Sequence, residues 1–181
     1  MLSRVDATNT DEVGTFFEQV VERFGAVHIV CSLVGGWAGG RDVEETSDVR
    51  FDRMIDVNLR SAFATVRAAV PHLKKTGWGR ILLIGSRAAT ENPAGQAAFN
   101  AAKAGVAALG MTVAQELEET GVTANVIVPS VIDTPATRKA LPFADYLDWP
   151  TPDEIAAVIE FALSDESSVI SGAMIPVYGR T

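Results

Sequence analysis

Polar side chains that could take part in chemistry lie beside the apolar segments of this sequence. Ser86 directly follows the apolar run Arg80–Gly85, and Lys103 lies four positions after Phe99, on the same face of a helical pattern. A hydroxyl and an amine could therefore converge above the end of a strand. A Ser in this place is more often a turn or helix-capping residue, so both interpretations stay open.

Two further segments are candidates for the same site. Asn58 falls in the otherwise hydrophobic stretch Met54–Leu59, where a buried amide must find hydrogen-bond partners, so it either stabilises the structure or belongs to a site. In Pro129–Thr134 the proline ends an apolar run and leaves backbone amides and a hydroxyl available for a ligand. The alternative for this segment is an ordinary loop.

The remaining motifs indicate no phosphate loop and no metal site. The glycine-rich segment Gly35–Gly40 matches neither of the two common phosphate-binding patterns and is more typical of a flexible loop. His28 and His72 have no carboxylate or second histidine at a metal-ligand spacing. Cys31 is the only cysteine, and its apolar surroundings predict a small buried side chain.

The elements that must position these residues alternate along the chain. Helical spacing of apolar residues, or short apolar runs bounded by Gly and Pro, predict helices and buried strands in turn. The series is a helix at Thr10–Phe24 capped by Asn9, a strand at Val27–Val34, a helix at Asp48–Lys75, a strand at Arg80–Gly85, a helix at Gly95–Thr120, a strand at Thr123–Val128, a helix opened by Thr151-Pro152-Asp153-Glu154, and a strand at Ala173–Val177. Buried strands separated by helices predict one α/β domain over residues 1–181 with a parallel sheet.

Composition excludes several classes of partner. The 181 residues carry 15 Lys and Arg against 23 Asp and Glu, a net charge of −8, without a basic cluster to hold nucleic acid or an anionic membrane surface. The N-terminus has no signal-peptide pattern, and the apolar segments are interrupted before they reach the length of a membrane span. We expect a cytoplasmic protein that binds neither nucleic acid nor membrane.

Taken together, these segments resemble the short-chain dehydrogenase/reductase family from about Val5 to Gly179. Asp56-Val57-Asn58-Leu59, Ile84-Gly85-Ser86 and Ala98–Lys103 look like the family's catalytic Asn, Ser and Tyr-x-x-x-Lys segments. Further matching segments are Asp6, which resembles the Asp after the third strand, Ser32–Gly35 in place of Asn-Asn-Ala-Gly, Ala124–Thr134 for the strand and loop at the nicotinamide, and Ser171-Gly172-Ala173 before the last strand.

The resemblance implies a fold, a cofactor and a reaction. The fold would be a doubly wound, Rossmann-like, mostly parallel sheet with helices on both faces, and NAD or NADP would exchange a hydride with the carbonyl or alcohol carbon of a small molecule. Ser86 would hydrogen-bond the substrate oxygen, Asn58 would hold a water of the proton relay, and Lys103 would bind the nicotinamide ribose. Cofactor contacts would also come from Asp6, Val34, Gly35, Pro129, Ile132 and Thr134.

The sequence departs from the family at the general acid. The family's Tyr position is occupied by Phe99, and the only tyrosines are Tyr146 and Tyr178. A positioned general acid is worth about 10² to 10⁴ in rate, so we expect impaired catalysis. Ser32 and Leu33 also replace the two amides that support the cofactor in the family.

A second departure concerns the nucleotide half of the family fold. The resemblance begins near the end of the third strand, so about 50 to 60 residues, two strand-helix units with the Gly-rich turn, have no counterpart. We therefore expect an incomplete NAD(P) site and an edge strand at Val27–Val34. That edge could be covered by Leu2–Asp6, by a second copy, or by upstream residues of a longer chain.

Two functions and one lesser alternative follow from these expectations. The chain is an impaired oxidoreductase, or it is a non-catalytic scaffold of the same fold that oligomerises or senses a ligand. A marginally folded fragment is the third interpretation. The helices around Asn58 and around Phe99–Lys103 form dimers in the family, so the resemblance implies a homodimer or homotetramer.

Overall fold

The computed structural model describes residues 1–180, which fold around one parallel sheet of four strands. The strands lie in chain order and are β1 (Ile29–Ser32), β2 (Gly79–Ile84), β3 (Val122–Pro129) and β4 (Met174–Val177). In register, Ile29 lies opposite Arg80, Gly79 opposite Val122 and Val126 opposite Met174. The predicted parallel α/β sheet is confirmed.

Helices cover both faces of this sheet. They are α1 (Thr10–Phe24), α2 (Asp48–Met54), α3 (Ser61–Thr76), α4 (Ala88–Glu91), α5 (Ala97–Glu116), α6 (Pro135–Ala140) and α7 (Pro152–Leu163), with a 3-10 turn at Val43–Glu45. Alternate side chains of β2 point to opposite faces, as the pleat of a strand requires. Ile81 and Leu83 join the larger core with α1, α3 and α5, whereas Leu82 packs on the other face with α7.

Both predicted helix caps are present. The Asn9 side chain accepts from the backbone N–H groups of Asp11 and Glu12 at the start of α1. Thr151 and Glu154 cap each other's backbone at the start of α7. Such caps typically contribute about 1 kcal/mol, and they could be predicted because all their atoms lie within one turn.

The helix predicted at Asp48–Lys75 contains a wider turn that its periodicity does not reveal. Between α2 and α3, residues Ile55–Arg60 form a π-helical segment, and Asn58 lies inside it. Turns of this kind insert a residue into a helix and occur often at functional sites. A short helix, α6, also lies in the stretch after Thr134 for which no element was predicted.

β1 is shorter than the predicted strand Val27–Val34. It pairs only with β2, and after Ser32 the chain leaves the sheet, so that Leu33 and Val34 are exposed. Within residues 1–180 no strand covers the outer edge of β1. Of the three possible covers left open for that edge, strand pairing by Leu2–Asp6 is not present, because that segment is not a strand and only its Val5 packs against the core.

Helix α5 is the most apolar element, and by length and composition it could cross a bilayer. The expectation that no apolar segment reaches this length is therefore wrong. In the fold it is a core helix, because Ala102, Val106 and Val113 are buried at 0%, 1% and 4% exposure. It packs against β3 and the π-helical segment, and it carries Phe99 and Lys103 to the sheet edge.

Candidate functional site

The candidate residues gather where the strands end at their carboxyl side. The loop after β1 contributes Gly35 and Gly36, the turn after β2 contributes Ser86, and Pro129 ends β3. In parallel sheets this edge is where ligands bind.

Asn58 joins the π-helical segment to the loop after β1. Its Nδ2 donates to the Gly36 oxygen at 2.9 Å and to the Met54 oxygen at 3.0 Å, and its Oδ1 accepts from the Gly36 N–H at 3.2 Å. The side chain is 1% exposed. The buried amide is therefore satisfied by backbone groups, which agrees with the stabilising role that the sequence left open.

Lys103 extends from α5 towards the same loop. Its Nζ donates to the Ile84 oxygen at 2.8 Å, and the residue is 6% exposed. Burial disfavours the charged amine and lowers the pKa of Lys103 to about 8. An amine has three possible donor directions in its protonated form, so two remain for a ligand or solvent besides the bond to Ile84.

Gly35 makes room for these two side chains. A Cβ atom at this position would lie 3.0 Å from Asn58 Oδ1 and 3.3 Å from Lys103 Nζ. Both polar atoms therefore border the same small space behind the backbone of the loop. Only a glycine leaves that space unfilled, so the loop can approach the two side chains closely.

Phe99 fills the wall of the site between α2, α4 and the loop after β1. Its ring is 8% exposed and packs in a cluster with Met54 and Ala98, bordered by Ala38, Val57 and Ala88. A phenyl ring carries no proton to exchange at neutral pH. The position four residues before Lys103 is thus occupied by packing and supplies no acid or base.

Ser86 lies at the turn between β2 and α4. Its Oγ accepts from the Ala88 N–H at 3.2 Å, while the neighbouring Arg87 N–H donates to the Pro129 oxygen at 2.9 Å. The turn role considered for this serine is present. A hydroxyl that accepts one bond still has its own hydrogen to donate, so the side chain can serve a ligand as well.

The segment after β3 is ordered by its own contacts. Thr134 caps α6, since its Oγ1 accepts from the Thr137 N–H at 3.1 Å, and Ile132 packs in the core on the α7 side. Asp133 and Arg138 form a two-pronged ion pair, and that hydrogen bond holds the pKa of the Asp133 carboxyl below its usual value. The Thr134 hydroxyl is thus engaged in a cap.

Asp6 and Val34 lie further out. The Asp6 side chain is exposed, and its Oδ1 accepts from the N–H and the hydroxyl of Thr8 at 2.9 and 2.7 Å. These bonds lower the pKa of the Asp6 carboxyl. Val34 is 46% exposed beside Gly35. The Asp6 side chain therefore belongs to the turn before α1, whereas Val34 borders the site.

Comparison with known proteins decides the family. The family described as enoyl-(acyl carrier protein) reductase matches residues 1–179. The 3-oxoacyl-[acyl-carrier-protein] reductase MabA of Mycobacterium tuberculosis is 36% identical over 182 residues, which is 96% of this chain and 73% of that protein. The chain belongs to the short-chain dehydrogenase/reductase family.

Two other proteins are similar over nearly the same length of this chain. The acetoacetyl-CoA reductase of Allochromatium vinosum is 30% identical over 96% of this chain and 74% of that protein. A solved structure of a short-chain dehydrogenase/reductase from Burkholderia xenovorans superposes with a TM-score of 0.87 at 26% identity, covering 97% of this chain and 71% of that one.

One contact at the site of this short-chain dehydrogenase/reductase was missed by sequence reasoning. The Trp37 indole N–H donates to Gln96 Oε1 at 2.7 Å, joining the loop after β1 to the start of α5. The two residues are 59 positions apart, so no local pattern connects them. The only signal was a tryptophan in a glycine-rich segment, where a large aromatic side chain needs small neighbours.

Proposed function

We propose that this short-chain dehydrogenase/reductase acts on the carbonyl or alcohol group of a small molecule with NAD or NADP, and that it does so slowly. The observation that carries the proposal is the meeting of Lys103 Nζ and Asn58 Oδ1 around Gly35, next to the buried ring of Phe99. The first two residues fit a cofactor and a proton relay. The third lacks the proton that the reaction requires.

The residues around Gly35 fit the nicotinamide end of the cofactor. Lys103 would hold the ribose hydroxyls, and Val34, Gly35, Pro129, Ile132 and Thr134 would line the ring, while Asp6 would contact the adenine end. When bound, the cofactor supplies or accepts the hydride. The described residues contain no Gly-rich turn for the pyrophosphate, so in residues 1–180 the support lies at the nicotinamide end.

The protein groups at the reacting carbon would divide the remaining work. Ser86 can donate its hydroxyl hydrogen to the substrate oxygen. Asn58 binds Gly36 and so keeps the loop after β1 beside the amine of Lys103. Phe99 cannot deliver a proton to that oxygen. The proton would then have to come from solvent, so we expect the reaction to be slow.

The names of the relatives suggest the first substrates to test. MabA is named for 3-oxoacyl groups on a carrier protein, and the protein from Allochromatium vinosum for acetoacetyl-CoA. We therefore propose a 3-oxoacyl thioester as the first assay substrate. Acetoacetyl-CoA is the simplest member of this class.

The test replaces the ring that lacks a proton. Phe99→Tyr is expected to raise the rate of NADPH oxidation with acetoacetyl-CoA by about 10²- to 10⁴-fold. Phe161→Tyr on the half-exposed face of α7 adds the same hydroxyl away from the site and serves as control. Isothermal titration measures the binding of NADH and NADPH to the same proteins. The titration is repeated on a chain that carries any in-frame residues encoded upstream of Met1.

Binding without any gain in rate for Phe99→Tyr contradicts the oxidoreductase proposal. It supports the second candidate, a non-catalytic scaffold that binds a ligand or oligomerises, which the buried Phe99 ring favours. A homodimer or homotetramer fits both candidates, because Phe63 on α3 and Met111 on α5 are 48% and 40% exposed. A cytoplasmic location completes the proposal.

A further inference from the structure

The loop between β1 and the 3-10 turn is held by hydrogen bonds to three separate parts of the protein. Asn58 holds Gly36 through two hydrogen bonds. The Arg50 guanidinium donates to the Gly39 oxygen at 2.5 Å, and the Arg41 N–H donates to the Gly95 oxygen at 3.1 Å. Together with the bond between Trp37 and Gln96, these contacts fix the course of a segment rich in glycine.

Trp37 is placed at the rim of the site by its two neighbours in the chain. Gly36, on one side, is bound to Asn58. Ala38, on the other side, packs against the cluster that contains Phe99. The backbone of Trp37 therefore runs between the contact with Asn58 and the cluster that contains Phe99, at the rim of the candidate site.

The indole of Trp37 is oriented but not enclosed. Its N–H is bound to Gln96, and the benzo edge of the ring lies so near Gly39 that a Cβ atom there would come within 2.5 Å of Trp37 Cζ2. The side chain is nevertheless 62% exposed. An aromatic surface with its only donor already used offers apolar contact and stacking, and no further hydrogen bond.

We propose that Trp37 determines substrate specificity by packing against a planar, apolar group attached to the carbonyl carbon, and that Gln96 is the positioning residue that orients its ring. The inference rests on the proposed function, since it takes the carbonyl to lie between Ser86 and Lys103. The walls near this point are also apolar, because Ala38, Ala88 and Phe99 belong to one cluster. A carbonyl compound with an aryl group fits this rim better than a polyhydroxylated one.

A direct test observes the ring without requiring turnover. The protein has three tryptophans, so its proton–nitrogen spectrum contains three indole N–H signals, which Trp78→Phe and Trp149→Phe assign. Acetophenone, with and without NADPH, is expected to shift the Trp37 signal saturably and to leave the other two unchanged. Dihydroxyacetone should shift none of them. Equal shifts of all three signals, or no shift at Trp37, overturn the proposal.

A second measurement uses the Phe99→Tyr protein. In that background Trp37→Ala is expected to raise KM for acetophenone about tenfold with little change in kcat or in KM for dihydroxyacetone, while Trp37→Phe retains most of the affinity. A loss of kcat with both ketones would make Trp37 a structural residue and overturn the assignment. If Phe99→Tyr does not turn over but acetophenone still shifts the Trp37 signal, the proposed reaction fails and the binding role of Trp37 stands.

Discussion

Asn58 and Gly36 exchange two hydrogen bonds across 22 positions of sequence, one from Asn58 Nδ2 at 2.9 Å and one from the Gly36 N–H at 3.2 Å. The pair fixes the loop after β1 to the π-helical segment. It also sets how near Lys103 and the loop backbone can come to each other. The stability of the fold and the shape of the site therefore depend on one side chain.

Asn58→Ala is expected to lower the free energy of unfolding by about 1 to 3 kcal/mol, because the buried carbonyl of Met54 and the part-buried backbone groups of Gly36 lose their partner. Urea denaturation followed by circular dichroism measures the change. Gln115→Ala, an exposed amide on α5, is the control and should stay within about 0.5 kcal/mol. An equal loss of unfolding free energy in both variants would mean that the hydrogen bonds of Asn58 do not stabilise the fold.

Gly35→Ala is expected to weaken the binding of NADPH more than it weakens the fold. The new Cβ atom would lie 3.0 Å from Asn58 Oδ1 and 3.3 Å from Lys103 Nζ, so both polar groups would have to shift by a few tenths of an ångström. Isothermal titration gives the Kd for NADPH, and thermal melting gives Tm. An unchanged Kd for NADPH would contradict the proposal that the cofactor binds beside Gly35.

Gly14→Ala provides the matched control for that experiment. Gly14 lies in α1, and a Cβ atom there meets no atom within 4 Å. Since glycine disfavours a helix interior, this substitution should stabilise the protein by about 0.5 to 1 kcal/mol and leave NADPH binding unchanged. A loss of affinity here would indicate that the titration reports general stability.

The elements of the fold could be predicted because their signals are local. The run Arg80–Gly85 is apolar and bounded by turns, and it becomes β2 within one residue at each end. Asn9 and Thr151 stand within one turn of the groups that they cap. A strand or a cap of this kind depends on few residues outside its own segment.

The features that were missed depend on residues far apart in the chain. Among residues 1–180, β1 has a partner strand on one side only, and the loop that follows it is bound to the distant Asn58. The π-helical segment adds one residue to a helical turn where α5 packs against it. The spacing of apolar residues along the sequence does not reveal a single added residue. The contact of Trp37 with Gln96 likewise exists only after the fold has formed.

The amine of Lys103 should make the stability of the protein depend on pH. Burial lowers its pKa in the fold from 10.5 to about 8, whereas the unfolded chain keeps the ordinary value. Between these two values the unfolded state binds more protons, so the free energy of unfolding should rise as pH increases from about 8 towards 10.5. Below pH 8 the destabilisation is fully present.

Lys103→Met removes this group and should therefore flatten the rise in stability between pH 8 and pH 10. Urea denaturation at closely spaced pH values measures the slope for both proteins. Lys74→Met, which removes an exposed lysine from the last turn of α3, should leave the slope as it is in the unsubstituted protein. If the Lys103 and Lys74 variants keep the same slope, the amine of Lys103 is not desolvated in solution, and the ribose-binding role that we propose for it loses the buried position on which it depends.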